Sequence, residues 1–247
     1  MAVLLSLLLS TLALAGNSEQ ALAYDLRIDG RTVGSREVTV SFVRQEDGRE
    51  IRLVESFTSI ETTVLGKSVR FVNRASGRSG SGGGFTSSVD ENGHIREVQA
   101  LQRSDGSWRV TVIESGRVSQ GTLTPGQVSL TSLGLLDPVG YRDLTGNSQV
   151  QMLAAETGTL LSGTVESLGE GTLQLGPTPV RVNRWAWTSE AGRVELAWTE
   201  EGVLASWQST FMGRPVEGVL REAPAARSYG SIEGLAPALG GVSEQEL

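Results

Sequence analysis

The sequence predicts an all-β fold: a curved antiparallel sheet, half-barrel or barrel-like, built from hairpin meanders. Three observations predict it. From Tyr24 to about Glu222, short runs of Val, Thr and Leu alternate with polar residues. Turn signals recur between the runs, among them Asp29-Gly30, Asp47-Gly48, Asn92-Gly93, Asp105-Gly106, Glu170-Gly171, Ala191-Gly192, Glu201-Gly202 and Met212-Gly213. Outside the N-terminal segment, no stretch sustains a 3.6-residue apolar period. With 247 residues the chain is long enough to bury a substantial core.

The N-terminal segment has a different character. "MAVLLSLLLSTLALA" is an apolar run ending in Ala-Leu-Ala at Ala13 to Ala15, and a second Ala-Leu-Ala stands at Ala21 to Ala23. Both fit the small-x-small cleavage pattern of a signal peptide. The run is shorter than the ~20 apolar residues that span a bilayer. Residues 1–23 are read as a signal peptide, 24–222 as the antiparallel β domain, and 223–247, rich in Ala, Pro, Gly and Ser, as a disordered tail. The expected location is periplasmic or secreted, with no integral membrane span after signal cleavage.

The first hairpin of the domain poses a question of phase. A two-residue turn at Asp29-Gly30 sets Ile28 opposite Arg31 and Leu26 opposite Val33. The apolar face then runs Tyr24, Leu26, Ile28 and Val33, but becomes Val38, Val40 and Phe42 further on. A β-bulge at Gly34 accounts for that one-residue change of phase and lets the sheet curl. A three-residue loop, Asp29 to Arg31, is the alternative; it keeps one phase and brings Gly34 inward opposite Leu26.

Two interruptions follow. "RASGRSGSGGGF", Arg74 to Phe85, reads as a flexible glycine-serine loop, and "LLDPVGYRDL", Leu135 to Leu144, as a connector with room for one helical turn. The closing stretch, "VRVNRWAWTSEAGRVELAWTEEGVLASWQSTFMGRPVEGVLRE", reads as a four-stranded meander. With two-residue turns at Ala191-Gly192, Glu201-Gly202 and Met212-Gly213, two cross-strand rows emerge: Trp187–Leu196–Trp207–Gly218 and Trp185–Trp198–Ala205–Leu220. Gly218 opposite Trp207 leaves room for an indole to lie across the next strand. Trp185, Trp187, Trp198 and Trp207, four of the five tryptophans, share this face. Two readings of it stand: a packed core, the more ordinary one, and an aromatic concave surface that holds an apolar ligand.

Composition narrows the chemistry. Lys+Arg 21 against Asp+Glu 28 gives a net charge of −7 without a basic stripe, which argues against a nucleic-acid partner. The absence of cysteine excludes thiol nucleophiles, disulfides and thiolate-held metals. His94, the single histidine, follows the turn glycine of "DENGHIRE", an ordinary place for an exposed polar residue. "GKS" at Gly66 to Ser68 lacks the glycine that a phosphate-binding loop needs, because Glu61 stands there. Asp90 and Glu91 have the wrong spacing for a calcium loop, and Glu200 and Glu201 fall in a turn. No catalytic residue, cofactor or metal site is expected.

"YDLRIDGRTVGSREVTVSF" resembles the opening of uncharacterised exported bacterial β domains, which begin Tyr-x-apolar-x-x-x-Gly-x-x-(Val/Ile)-Gly. "GTLLSGTVESLGEGTLQLGPTPVRVNRWAWT" resembles their second half, and "LAWTEEGVLASWQSTFMGRPVEGVLRE" their closing hairpin and final strand. Such domains occur alone as periplasmic proteins, and a similar domain precedes transglutaminase-like domains. The resemblance implies a periplasmic half-barrel, broadly like lipoprotein-carrier folds, and carries over no catalytic residue. This chain has no cysteine to serve as a transglutaminase nucleophile. The expected function is that of an exported, non-enzymatic cell-envelope protein that binds a lipid or other apolar small molecule on the tryptophan face. The alternative is a protein-interaction or scaffold module beside an envelope enzyme.

Overall fold

The computed structural model describes residues 18–44, 50–64, 66–79, 83–137, 144–146, 148–211 and 213–222. The first seventeen residues of the expected leader, and the tail from 223, lie outside them. Eight strands come first: β1 (Ser18–Ile28), β2 (Arg31–Arg44), β3 (Glu50–Val64), β4 (Lys67–Ser79), β5 (Gly84–Glu91), β6 (His94–Gln102), β7 (Trp108–Glu114) and β8 (Arg117–Leu123). The short β9 (Leu130–Thr131) and a 3-10 turn at Leu133–Leu136 follow. Then come β10 (Gln149–Leu153), β11 (Leu160–Leu175), β12 (Thr178–Ser189), β13 (Gly192–Thr199), β14 (Leu204–Phe211) and β15 (Arg214–Leu220).

These strands form one 15-stranded sheet in the order β8-β7-β6-β5-β4-β3-β2-β1-β15-β14-β13-β12-β11-β10-β9. The first and last strands pair in its middle, Tyr24 opposite Leu220 and Ile28 opposite Val216. One meander runs outward from this seam to β8 and the other to β9. Neighbours are antiparallel except β9 and β10, which are parallel. Residues 124–129 alone join the two edge strands, and a chain that long reaches no more than about 25 Å. Two edges of so wide a sheet meet that limit only if it curls. The result is a curved, unclosed, barrel-like sheet, as the strand pattern predicts.

The inner face of the curl is filled from within. Leu22, Tyr24, Val38, Val40, Val54, Ala75, Phe85, Val98, Ala100 and Val110 form one buried cluster with Leu130, Leu133, Leu136, Leu144, Val150, Met152, Leu153 and Ala155 of the crossing segment. Each Val, Leu, Phe or Met side chain among them contributes about 1.5–3 kcal/mol when fully buried. The crossing segment explains the glycine-serine stretch, which is mostly strand rather than loop: β4 runs to Ser79 and β5 starts at Gly84. A Cβ on Gly77 would lie 2.8 Å from Leu133 Cδ2 and equally close to Phe85 Cβ. The glycine there admits the plug.

Several turns depart from their expected places. Glu170-Gly171 lies inside β11, which bulges between Ser167 and Gly169 and turns back only after Leu175. The β12–β13 turn is Glu190-Ala191, because Ser189 pairs with Gly192. Trp185 therefore faces Leu196, Trp187 faces Val194 and Asn183 faces Trp198. The shift is two residues, so the face is kept while the partners change. The β13–β14 turn is wider than two residues and sets Trp198 opposite Leu204, with Thr199 N–H donating to Val203 O. Leu196 opposite Trp207, and Trp207 opposite Gly218, stand as expected.

The first hairpin combines both sequence alternatives. Ile28 pairs with Arg31 and Arg27 with Thr32, but Leu26 pairs with Gly34. Val33 is the extra residue of a bulge, and Gly34 faces inward beside it. The need for glycine comes from the neighbouring strand. A Cβ at Gly34 would overlap the carbonyl oxygen of Ser59 and come within 2.9 Å of Ile60 Cα. Close approach of β3 fixes the residue type, and the bulge beside it fixes the phase.

β1 also begins earlier than the expected domain boundary. Ala21 pairs with Thr39 and Leu22 with Val38, and Leu22 is buried in the core. The second Ala-Leu-Ala is thus part of the sheet.

Candidate functional site

The bulge at Val33 turns the even residues of β2 inward, and Arg36 lies in phase with Val38 and Val40. An arginine at such a position enters the curl instead of solvent. It is half-buried. Its Nε donates to Ser56 Oγ at 2.9 Å. Its guanidinium lies over the Trp207 ring, 5.4 Å from the centroid, a distance at which the ring quadrupole attracts a cation. Burial lowers its pKa from the ordinary arginine value, while the Glu156 carboxylate and the Tyr24 phenol act in the opposite direction. Nη1 and Nη2 have no hydrogen-bond or ion-pair partner among the described residues.

The surroundings are locally polar on an otherwise apolar face. Arg36 pairs across β2–β3 with Thr58, and Thr58 across β3–β4 with Asn73. Ser56, Thr58, Asn73 and Ser87 are all buried, and Ser87 Oγ donates to Asn73 Oδ1 at 3.0 Å. On the other side stands Tyr24, fully buried, whose hydroxyl donates to Leu204 O at 2.8 Å. Burial pushes its pKa up, so it stays a neutral phenol. Its ring meets Trp207 edge-on, 5.0 Å between centroids at 62°.

The four tryptophans of the expected ligand face divide. Trp198 (0% exposed) and Trp187 (4% exposed) are sealed in the core. Trp185 and Trp207 are half-buried and pack against that core from one side. A Cβ on Gly218 would lie within 2.5 Å of Cζ2, Cε2 and Cη2 of Trp207, so the indole crosses β15 directly over that residue. Gly34, two residues from Arg36, stands at the same end of the inner face. Sequence reasoning missed Arg36. The signal was available, because it stands two residues before Val38 in the phase that the bulge sets.

The outer face carries a second feature. Two adjoining depressions, about 640 and 870 Å³, cross β2–β8. They share Glu55, Ser76, Thr86 and Gln99. Leu53 (41% exposed) and Leu101 (60% exposed) border the larger one. Beyond them the edge strand β8 is exposed along nearly all its length. Elsewhere, His94 is exposed at the β5–β6 turn. Among the described residues no cluster of His, Asp and Glu has the makings of a metal site, and no helix is long and apolar enough to cross a membrane.

The curled, unclosed sheet has a solved counterpart. The chain is similar in fold to a β-barrel-like protein from Brucella abortus. That crystal structure, of a protein of the domain of unknown function DUF1849, superimposes with a TM-score of 0.57 over 83% of this chain and 96% of that one, at 12% identity. At that identity the likeness is one of fold. No family model matches the chain, and no curated protein matches it. The Brucella abortus protein's description as barrel-like agrees with an arrangement whose edges approach without pairing.

Proposed function

We propose that this chain is an exported, non-enzymatic β protein of the cell envelope that binds a lipid or another apolar molecule against the inner face of its sheet. The observation that carries the reading is the division of the tryptophan face. Trp187 and Trp198 complete the core, whereas Trp185 and Trp207 keep part of their surface open on the same side of the sheet. Apolar surface left open beside a finished core is what a ligand covers, at about 25 cal/mol per Å². The resemblance to exported envelope β domains and the apolar N-terminal run support the location.

The test is binding of the apolar fluorophore N-phenyl-1-naphthylamine, read by energy transfer from tryptophan, with mass spectrometry of lipids that co-purify. Saturable transfer that falls several-fold in Trp207→Ala and Trp185→Ala supports the reading. Absence of both saturable transfer and co-purifying lipid removes it.

A second reading, a protein-interaction module, is favoured by the β8 edge, where Val118 is 61% exposed and, among the described residues, no strand pairs beyond it. Open edges recruit extended partners. A photo-crosslinker at position 121 of β8 is expected to give a defined adduct in cells that Val118→Lys abolishes. Adducts indifferent to that substitution refute the reading.

A further inference from the structure

Within the lipid-binding reading, which it rests on, the Arg36 geometry points to the chemical class of the ligand: we infer that it is an amphiphile with a single carboxylate, gripped by the Nη fork of Arg36. A charge held partly out of water on an otherwise apolar face is stabilised by a charged, hydrogen-bonded partner. Arg36 has one hydroxyl acceptor on Nε and an indole face, and its two Nη groups have no partner among the described residues. Ser56 and Trp207 hold the guanidinium from two directions and so fix the plane of the fork. A fork of parallel N–H groups matches the two oxygens of a carboxylate.

Three features of the surroundings narrow the class. Thr58, Asn73 and Ser87 supply a buried polar wall on the β3–β5 side of Arg36, where a head group finds hydrogen-bonding neighbours. Trp207 and, across Leu196 in the same cross-strand row, Trp185 supply open aromatic surface on the other side, where a tail lies. Glu156 contributes negative potential at Arg36. One added negative charge is tolerated beside it better than two, which favours a carboxylate over a phosphate monoester dianion.

The experiment compares three twelve-carbon probes on delipidated protein by calorimetry: laurate, dodecanol and dodecyl phosphate. Wild-type protein is expected to bind laurate about 10- to 100-fold more tightly than dodecanol, the ratio of one charge-assisted contact, and more tightly than dodecyl phosphate. Arg36→Gln is expected to bring laurate down to the dodecanol level while dodecanol is unchanged. Arg36→Lys, which keeps the charge and loses the fork, is expected to recover only part of the preference. The wild-type ratios test the inference without any variant that has to fold. Equal binding of laurate and dodecanol overturns the carboxylate and leaves an apolar site standing. Tightest binding of dodecyl phosphate overturns the single-charge class. Binding of none of the three overturns both the inference and the lipid reading beneath it.

Discussion

The Trp207 ring lies 5.4 Å from the Arg36 guanidinium, although β15 and β1 stand between their strands. Three strand spacings amount to about 14 Å. The indole covers part of that span by lying across Gly218 and meets the Tyr24 ring on β1, and the Arg36 side chain, whose Nε donates to Ser56 Oγ, covers the rest. One absent side chain thus sets where the half-open aromatic surface points.

Gly218→Ala tests this directly. The new methyl occupies the space of the Trp207 ring, and overpacking of this kind costs about 1–3 kcal/mol. Urea unfolding is expected to show that loss, and tryptophan emission to shift to the red as the indole leaves Tyr24. An unchanged spectrum at unchanged stability would mean that the ring does not cross Gly218.

Val33 and Gly34 make separable predictions. Deleting Val33 removes the bulge and makes Arg27–Thr32 and Leu26–Gly34 consecutive pairs, so Arg36 stays inward and only the local bend and twist are lost; a folded protein of reduced stability is expected by circular dichroism. Gly34→Ala keeps the phase but forces a methyl against the Ser59 carbonyl, with an expected cost of at least about 1–3 kcal/mol. Val33→Ala, at an unpaired and half-buried position, is expected to cost less than either. If the deletion variant fails to fold, the assignment of Val33 as the extra residue is wrong.

If the chain is exported as proposed, processing is expected after Ala15 and not after Ala23. Cutting at the second Ala-Leu-Ala removes Leu22 from the core and strips β1 of its pairs with Thr39 and Val40. N-terminal sequencing of the protein recovered from the medium or periplasm reads the site. A mature N-terminus at Tyr24 contradicts the expectation.

Acid sensitivity has one local source in the β6–β7 turn. Asp105 accepts hydrogen bonds from the Ser107 hydroxyl at 2.6 Å and the Ser107 amide at 2.9 Å. These bonds favour the carboxylate and lower its pKa. The folded pKa is below the unfolded one, so the stabilisation is complete above the ordinary aspartate value of about 3.9 and is lost as pH falls through the lowered folded value. An NMR titration is expected to place the Asp105 midpoint below that of a model peptide, and Ser107→Ala to raise it. A midpoint at the peptide value would show that the turn does not hold the carboxylate.

The strands were largely legible because alternation leaves its mark in every run. In the first hairpin, Asp29 and Gly30 both adopt positive φ (49° and 75°), the conformation that Asp-Gly signals. The Ala191-Gly192 signal misled because Gly192, at φ 123°, leaves the turn as the first residue of β13, and Glu170-Gly171 misled because that glycine sits within β11 with the Arg184 side chain against it. Arg36 was hidden for a related reason: a charged residue on a strand is read as exposed unless its phase is known, and the phase turned on one bulged residue.

The amino-acid sequence by itself determined the fold class, the inward phase of most strands and the room above Gly218, since each follows from local periodicity and the size of one side chain. The tertiary structure decided which strands are neighbours, that β1 and β15 close the seam, and that Leu133, Leu136 and Leu144 join the core inside the curl. It also decided that an arginine stands inside beside a half-open tryptophan. Those facts depend on contacts between residues far apart in the chain, and local periodicity carries no record of them.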